Sequence, residues 1–334
     1  MDFDLAILDR GRLVLAWQRQ LFAWEFHMNL TTTLIASTLT VLACTSALAQ
    51  TPPAAPKQPT QRETWNLPSE PFKIIDNVYY VGTAGLSSFL FVTPDGDILL
   101  DAALPESAPQ IEANIIKLGF KLSDIKILLN SHAHFDHSGG LAQLKKDTGA
   151  KLIASEGDRS ALEGGFYLGN ESVKAMSGPP VKVDEAIKDG YELTLGGFTM
   201  MAHLTPGHTR GCTSWGWTAH EGAKTYSALV FCSATIAANR LVDPPQYQGI
   251  VADYRATFAK AARFKVDIFL APHAEFYGLA AKRAKLAPGA PNPFIVPGEF
   301  ETFIAKQKAD FDVGLKDQDA KAAAKKTAAA PKPN

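Results

Sequence analysis

The segment Asn130-Ser131-His132-Ala133-His134-Phe135-Asp136-His137 directly follows an apolar run, Ile125–Leu129, and this pairing restricts the fold more than anything else in the chain. A short apolar run of that length reads as a strand, and side chains from different elements converge in the loops where strands end. His132 and His134, two apart, can face one way toward a single cation, while the adjacent Asp136 and His137 face another. Two further histidines also stand where strand-like runs stop. His208 closes Met200–Gly207, and His273 closes Asp267–Pro272. Imidazole nitrogen with some carboxylate oxygen is the donor set that borderline-soft Zn²⁺ prefers. The spacing therefore predicts two zinc sites at one edge of the sheets: His132, His134 and His208 for the first, Asp136, His137 and His273 for the second. Three protein ligands per ion leave a position open, which marks a catalytic rather than a structural site.

The remaining histidines read as structural. His203 lies within a strand before Thr205-Pro206-Gly207, His220 sits beside Glu221-Gly222 in a hairpin turn, and His27 belongs to the leader.

Around the ligand loops the pattern is mixed α and β. Strand runs fall at 71–81, 87–93 and 97–101, the last two separated by the turn Pro94-Asp95-Gly96, and again at 125–130 and 151–154. Helical periodicity predicts helices near 107–119, 139–147 and 157–163. The second half repeats the scheme, with strands at 191–195, 197–204, 212–218, 226–232 and 266–270, and helices at 252–264 and 299–312. Neighbouring strand runs whose outer faces need helical cover imply two β-sheets packed together and flanked by helices, an α+β single domain spanning 67–312. The Pro/Thr/Gln-rich stretch 50–66 reads as a flexible arm, and Lys/Ala-rich 313–334 as a solvated tail.

The first 27 residues mix acids and bases, which does not fit an export signal. From Met28 the chain turns apolar up to Ala47-Leu48-Ala49, where small residues suit signal peptidase. Residues 28–49 are thus read as a cleaved signal peptide and 1–27 as a mis-assigned upstream start. Lipidation at Cys44 and a retained anchor are the competing readings. A formal net charge of −1 gives no basic footprint for nucleic acid. Cleavage would leave a periplasmic protein with no stable membrane association. Only Cys212 and Cys232 would then remain, either disulfide-bonded, as an oxidising compartment favours, or as buried free thiols.

The HxHxDH segment, Thr205-Pro206-Gly207-His208 and the late Pro272-His273 together resemble the metallo-β-lactamase superfamily. The resemblance implies its αββα four-layer sandwich. Other hydrolases of that superfamily carry a metal-bridging Asp at the strand end that here reads Phe231-Cys232-Ser233-Ala234-Thr235. The missing acid, and His137 where thiolate-using enzymes have Arg, resemble subclass B3, whose periplasmic enzymes of soil bacteria also share stretches like Gly211–Trp215, Asp253–Arg255 and Pro272–Gly278. What the resemblance implies is hydrolysis of the β-lactam amide bond of penicillins, cephalosporins or carbapenems by a metal-bound hydroxide, with antibiotic resistance as the outcome. It further implies two Zn²⁺ per chain, Asp136 as a catalytic as well as a liganding group, a Cys212–Cys232 disulfide, and Ser233 and Thr235 as contacts to a small-molecule β-lactam. The groove would be lined by Gly164–Tyr167 and Pro288–Pro293. The alternative is a dizinc hydrolase of another ester, thioester or lactone on the same fold. Ser123-Asp124-Ile125-Lys126 matches the serine-lactamase S-x-x-K only formally, because it precedes a strand and has no companion elements.

Overall fold

The computed structural model describes residues 58–329. The expected upstream start, signal peptide, Cys44 and first part of the arm lie outside the described residues. Seven strands make a first sheet: β1 (Phe72–Ile75), β2 (Val78–Tyr80), β3 (Phe89–Phe91), β4 (Asp97–Leu100), β5 (Ile125–Leu129), β6 (Lys151–Ser155) and β7 (Glu185–Ile187), in that order. They pair antiparallel up to β4 and parallel from there on. The second sheet runs β12 (Ile268–Leu270), β11 (Lys224–Val230), β10 (Thr213–Glu221), β9 (Phe198–Leu204), β8 (Glu192–Leu195), and only β11 and β12 are parallel.

Alternation explains why β3, β4 and β5 bury apolar side chains on both faces. Phe89, Phe91, Ile98 and Leu100 point to the inter-sheet core, where they meet Met200, Trp215, Trp217 and Val230. Leu90, Leu99, Leu128 and Leu152 point the other way, onto α2 (Ala108–Lys117), α4 (Leu141–Thr148) and α5 (Glu156–Gly164). A strand covered on both faces leaves polar residues such as Asp97 and Lys151 to its ends. Tyr254 and Phe258 of α6 (Ile250–Ala261) and Phe300 and Phe311 of α8 (Glu299–Ala329) close the other side, which completes the four-layer αββα sandwich.

Two expectations change. The stretch 58–66 is not a free arm: it holds the helix α1 (Gln61–Trp65), capped by Thr60 and Glu63, which accept each other's backbone N–H at 3.2 and 2.6 Å. Two 2.6 Å bonds from Arg62 to Glu106 and the bond from the Thr83 hydroxyl to the Trp65 carbonyl fasten it to the domain. Nor does the last helix stop at 312. It runs to Ala329, and Leu315 and Gln318 still touch the domain, the Gln318 Oε1 accepting from the Leu241 N–H at 2.7 Å. The short strand β7 and the helix α7 (Leu279–Lys285) carried no periodicity long enough to read.

Candidate metal centre

All six candidate ligands stand at one end of the sandwich, each placed by a terminating strand. The parallel strand β5 ends at Leu129, and Asn130–His134 turn into a single helical turn, α3 (Phe135–Ser138), which aims Asp136 and His137 away from His132 and His134. That turn is seated by the loop after β4. The Ala102 N–H donates to the His137 carbonyl, and the Gly139 N–H to the Ala103 carbonyl, both at 2.9 Å. A Cβ at Gly139 would lie 2.3 Å from the Phe135 carbonyl oxygen and 2.4 Å from Pro105, so this close approach requires glycine. His208 follows β9 and His273 follows β12.

Two triads result. The ligand-capable atoms of His132, His134 and His208 lie within 4.8 Å of one another, and so do those of Asp136, His137 and His273. The triads adjoin, with the rings of His132 and His137 4.3 Å apart. His132 Nε2 faces His208 Nε2 at 3.2 Å, and His137 Nε2 faces His273 Nε2 at 3.2 Å. Asp136 Oδ2 lies 3.5 and 3.6 Å from the second pair. Nitrogens on a tetrahedral ion with 2.0–2.1 Å bonds stand about 3.3 Å apart, so the closest pair in each triad has a spacing that such an ion can accommodate.

The electrostatics agree with the spacing. Burial, then the neighbouring imidazoles, hold His132, His134 and His137 well below the usual histidine range, and burial brings His273 down to about 3. These rings are therefore neutral at pH 7, with lone pairs free to bind a cation. His208 donates from Nδ1 to the Thr235 carbonyl at 2.7 Å, which fixes the tautomer and turns the Nε2 lone pair inward. Burial pushes the Asp136 carboxyl up, against the pull of His273, and a bound divalent cation would reverse that shift.

Of the residues around the triads, Tyr167 belongs to the stretch Gly164–Tyr167 expected to line the groove, whereas Asn239 and Asp101 were not singled out by their sequence context. The Tyr167 ring stacks on His134, with centroids 4.2 Å apart and planes at 13°, and its hydroxyl donates to Asn239 at 2.9 Å. Asn239 donates in turn to the His208 carbonyl at 2.8 Å, while the Tyr254 hydroxyl donates to the Thr235 carbonyl at 2.7 Å. Trp65 of α1 covers His273 at 5.1 Å. Asp101, in a left-handed backbone conformation with φ 63°, accepts the Ser131 N–H at 2.7 Å and so fixes the start of the ligand loop. Trp65 belongs to the arm 50–66, a stretch with one large aromatic able to fold over the site; that it would do so as a helix was signalled only by the Thr60–Glu63 spacing of a capping box.

The other expected residues fall differently. Cys212 and Cys232 are disulfide-bonded beneath His132, which removes both sulfurs from the candidate donors. Ser233 is buried and its hydroxyl pairs with that of Thr235 at 3.3 Å; Thr235 is the more open of the two. Of the segment Pro288–Pro293, Asn292 donates to the Ile74 carbonyl of β1, and just beyond it Ile295 bridges to Ile268 at the start of β12. A cleft of about 860 Å³ lies at the opposite end of the sandwich beside Asn77, Pro94 and Phe198, and contains none of the six candidate ligands.

Comparison with known proteins agrees with this architecture. The pattern of the metallo-beta-lactamase superfamily matches residues 82–216. The chain is 53% identical to BJP-1, a subclass B3 metallo-beta-lactamase of Bradyrhizobium japonicum, over 77% of its own length and 98% of that protein's, with a TM-score of 0.76. It is 40% identical to the native FEZ-1 metallo-beta-lactamase from Legionella gormanii, over 76% and 98%, with a TM-score of 0.73. Among curated sequences it is 30% identical over 132 residues to a hydroxyacylglutathione hydrolase of Methylococcus capsulatus. The match covers 40% of each, so the chain spans about two fifths of that relative's length.

Proposed function

The chain belongs to the metallo-β-lactamase superfamily as a B3-like hydrolase, and we propose that its reaction is zinc-dependent hydrolysis of the β-lactam amide bond. The observation that carries this reading is the end of β11. There the chain carries the disulfide-bonded Cys232 and then Ser233, with no acid to bridge two ions, so the second triad rests on Asp136, His137 and His273 alone. We assign two Zn²⁺ per chain, one to each triad. When bound, they supply Lewis acidity toward a water molecule and the strained carbonyl.

The protein's own groups do the rest. Hydrolysis adds water across the C–N bond: oxygen joins the carbonyl carbon, and a proton must reach the departing ring nitrogen. Asp136 is the acid of the six candidate ligands, with Oδ2 3.5 and 3.6 Å from the His137 and His273 nitrogens, so we assign its carboxylate the orienting of the attacking water and the passing on of its proton. Tyr167, behind His134, and Trp65, over His273, exclude bulk water from two sides. To the Thr235 hydroxyl, with the more buried Ser233 beside it, we assign the holding of the substrate carboxylate.

The same reading extends to the cell. A cleaved signal at 28–49 would deliver the enzyme to the periplasm, where the Cys212–Cys232 bond is stable and β-lactams are met, making resistance the outcome. Among the described residues no helix is long and apolar enough to cross a membrane.

The test is carbapenem and cephalosporin turnover by the purified chain, with metal content by atomic emission, before chelation, after it, and after zinc is restored. Turnover that disappears with EDTA and returns with about two zinc ions per chain is expected. A zinc-loaded chain inert to β-lactams but active on S-lactoylglutathione would favour the second reading, a thioester hydrolase, which the similarity to hydroxyacylglutathione hydrolases supports.

A further inference from the structure

One buried acid beneath the first triad has no part in the chemistry above. Asp158 stands in the first turn of α5, directly after β6, and is 3% exposed. Its Oδ2 accepts the Ala133 N–H at 3.0 Å and the Thr209 hydroxyl at 2.7 Å, and its Oδ1 accepts the Gly211 N–H at 2.8 Å. Ala133 lies between His132 and His134, while Thr209 and Gly211 follow His208. A single carboxylate thus joins the two loops that deliver all three candidate ligands of the first site.

The surroundings are shaped for this contact. The Ser155 hydroxyl donates to the Gly211 carbonyl at 2.6 Å, next to the Asp158 bonds. A Cβ at Gly211 would lie 2.0 Å from Ser155 Oγ and 2.7 Å from Asp158 Cγ, so only glycine lets the loop come this near. No basic side chain meets Asp158 among the described residues; its partners are two backbone amides and one hydroxyl. A carboxyl buried without a cation is an expensive way to fill space, and an apolar residue would pack α5 against the loop more cheaply. What an apolar residue could not do is fix two backbones at once with three directed bonds. The second triad hangs from α3 and from the loop after β12, and Asp158 bonds to neither.

We propose that Asp158 is the positioning residue of the first metal site, setting the distance between the His132–His134 loop and the His208 loop so that the three imidazoles meet one ion. This rests on reading the triads as metal sites. The consequence is selective: loss of the carboxylate should weaken the first site and leave the second alone.

The experiment is cobalt(II) binding by the full chain, read by its visible d–d bands and by competition with a chromophoric chelator. A His273→Ala background reports the first site and a His132→Ala background reports the second. Asp158→Ala is expected to lower first-site affinity about 10- to 100-fold and to change its d–d bands, with the second site within about twofold. Asp158→Asn should fall between wild type and Asp158→Ala, because its amide keeps one accepting oxygen but turns a donor toward a backbone N–H. Thr209→Val, a near-isosteric change that folds even if Asp158→Ala does not, removes one of the three bonds and should lower first-site affinity about fivefold. Equal losses at both sites, or none at either, would overturn the proposal while the metal sites themselves stood. A wild-type chain that takes up no cobalt at either triad would overturn the metal-site reading and this one with it.

Discussion

At the scale of single residues, Asp136 combines two properties that ordinarily exclude one another. It is nearly fully buried, and its near neighbours are imidazoles that burial keeps neutral. Without a cation such a group destabilises the fold, so its presence makes sense only through what it binds. Asp136→Ala is therefore expected to lower turnover at least about a hundredfold, beyond what substitutions behind the ligands give. In EDTA the same variant should be no less stable to urea than wild type. Turnover near the wild-type rate would remove Asp136 from the centre. Cys232 is the converse case, a soft donor close to His132 whose sulfur is already bonded. Cys232→Ser should leave metal content at about two per chain while lowering stability under non-reducing conditions by about 3 kcal/mol, as expected for opening a loop of 20 residues. A fall to one metal ion would return the sulfur to the ligand set.

At the scale of elements, the molecule divides into parts that announce themselves in the sequence and parts that do not. Strands ending in histidine were legible because each apolar run stops abruptly at a ligand: Leu129 before His132, and Leu270 before His273. Helix α8 beyond 312 was not, because Lys and Ala recur there without an apolar stripe. Its evidence lay in intrinsic propensity, which a search for periodicity passes over. Helix α1 was hidden for another reason: five residues are too few for any period, and its stability comes from the Thr60–Glu63 caps and from Arg62 and Trp65 docking on residues far along the chain. Neither element is idle. Gln318 of α8 donates to the Asn239 carbonyl at 3.0 Å, and Asn239 in turn holds the His208 carbonyl. Truncation after Asp312 should therefore lower stability by about 1–3 kcal/mol, through the lost Leu315 packing and the two Gln318 bonds. Truncation after Lys321 should change it by less than about 0.5 kcal/mol. Urea denaturation of the two shortened chains beside the full one checks this, and equal losses from both would mean that the distal turns, not Leu315 and Gln318, hold the helix.

Over the whole molecule, the two ends of the sandwich carry buried acids for different reasons. At the metal end, Asp101 and Asp158 each anchor a ligand loop, and burial raises their carboxyls to about 7 and about 6. At the far end Asp97 opens β4 beside the large cleft, raised by burial to about 6, with one 3.3 Å bond from the Thr93 N–H and no ligand to position. The pH dependence of the metal-free fold combines opposing contributions. Histidines held below their usual range stabilise the fold above pH 6.5 and withdraw that stability as pH falls, whereas a raised carboxyl acts the other way. Between pH 3.8 and 6 the native state keeps a proton on Asp97 that the unfolded chain has released, so stability from this residue is lost as pH rises through that window. Comparing Asp97→Asn with wild type cancels the histidines and isolates the term. In EDTA the variant should be about 1–2 kcal/mol more stable than wild type at pH 8, with the advantage shrinking steadily toward pH 4. Turnover should be unchanged, since nothing connects Asp97 to the ligand loops. A variant whose advantage is the same at every pH, or which is less stable than wild type at pH 8, would mean that the Thr93 bond to the charged carboxylate outweighs its burial.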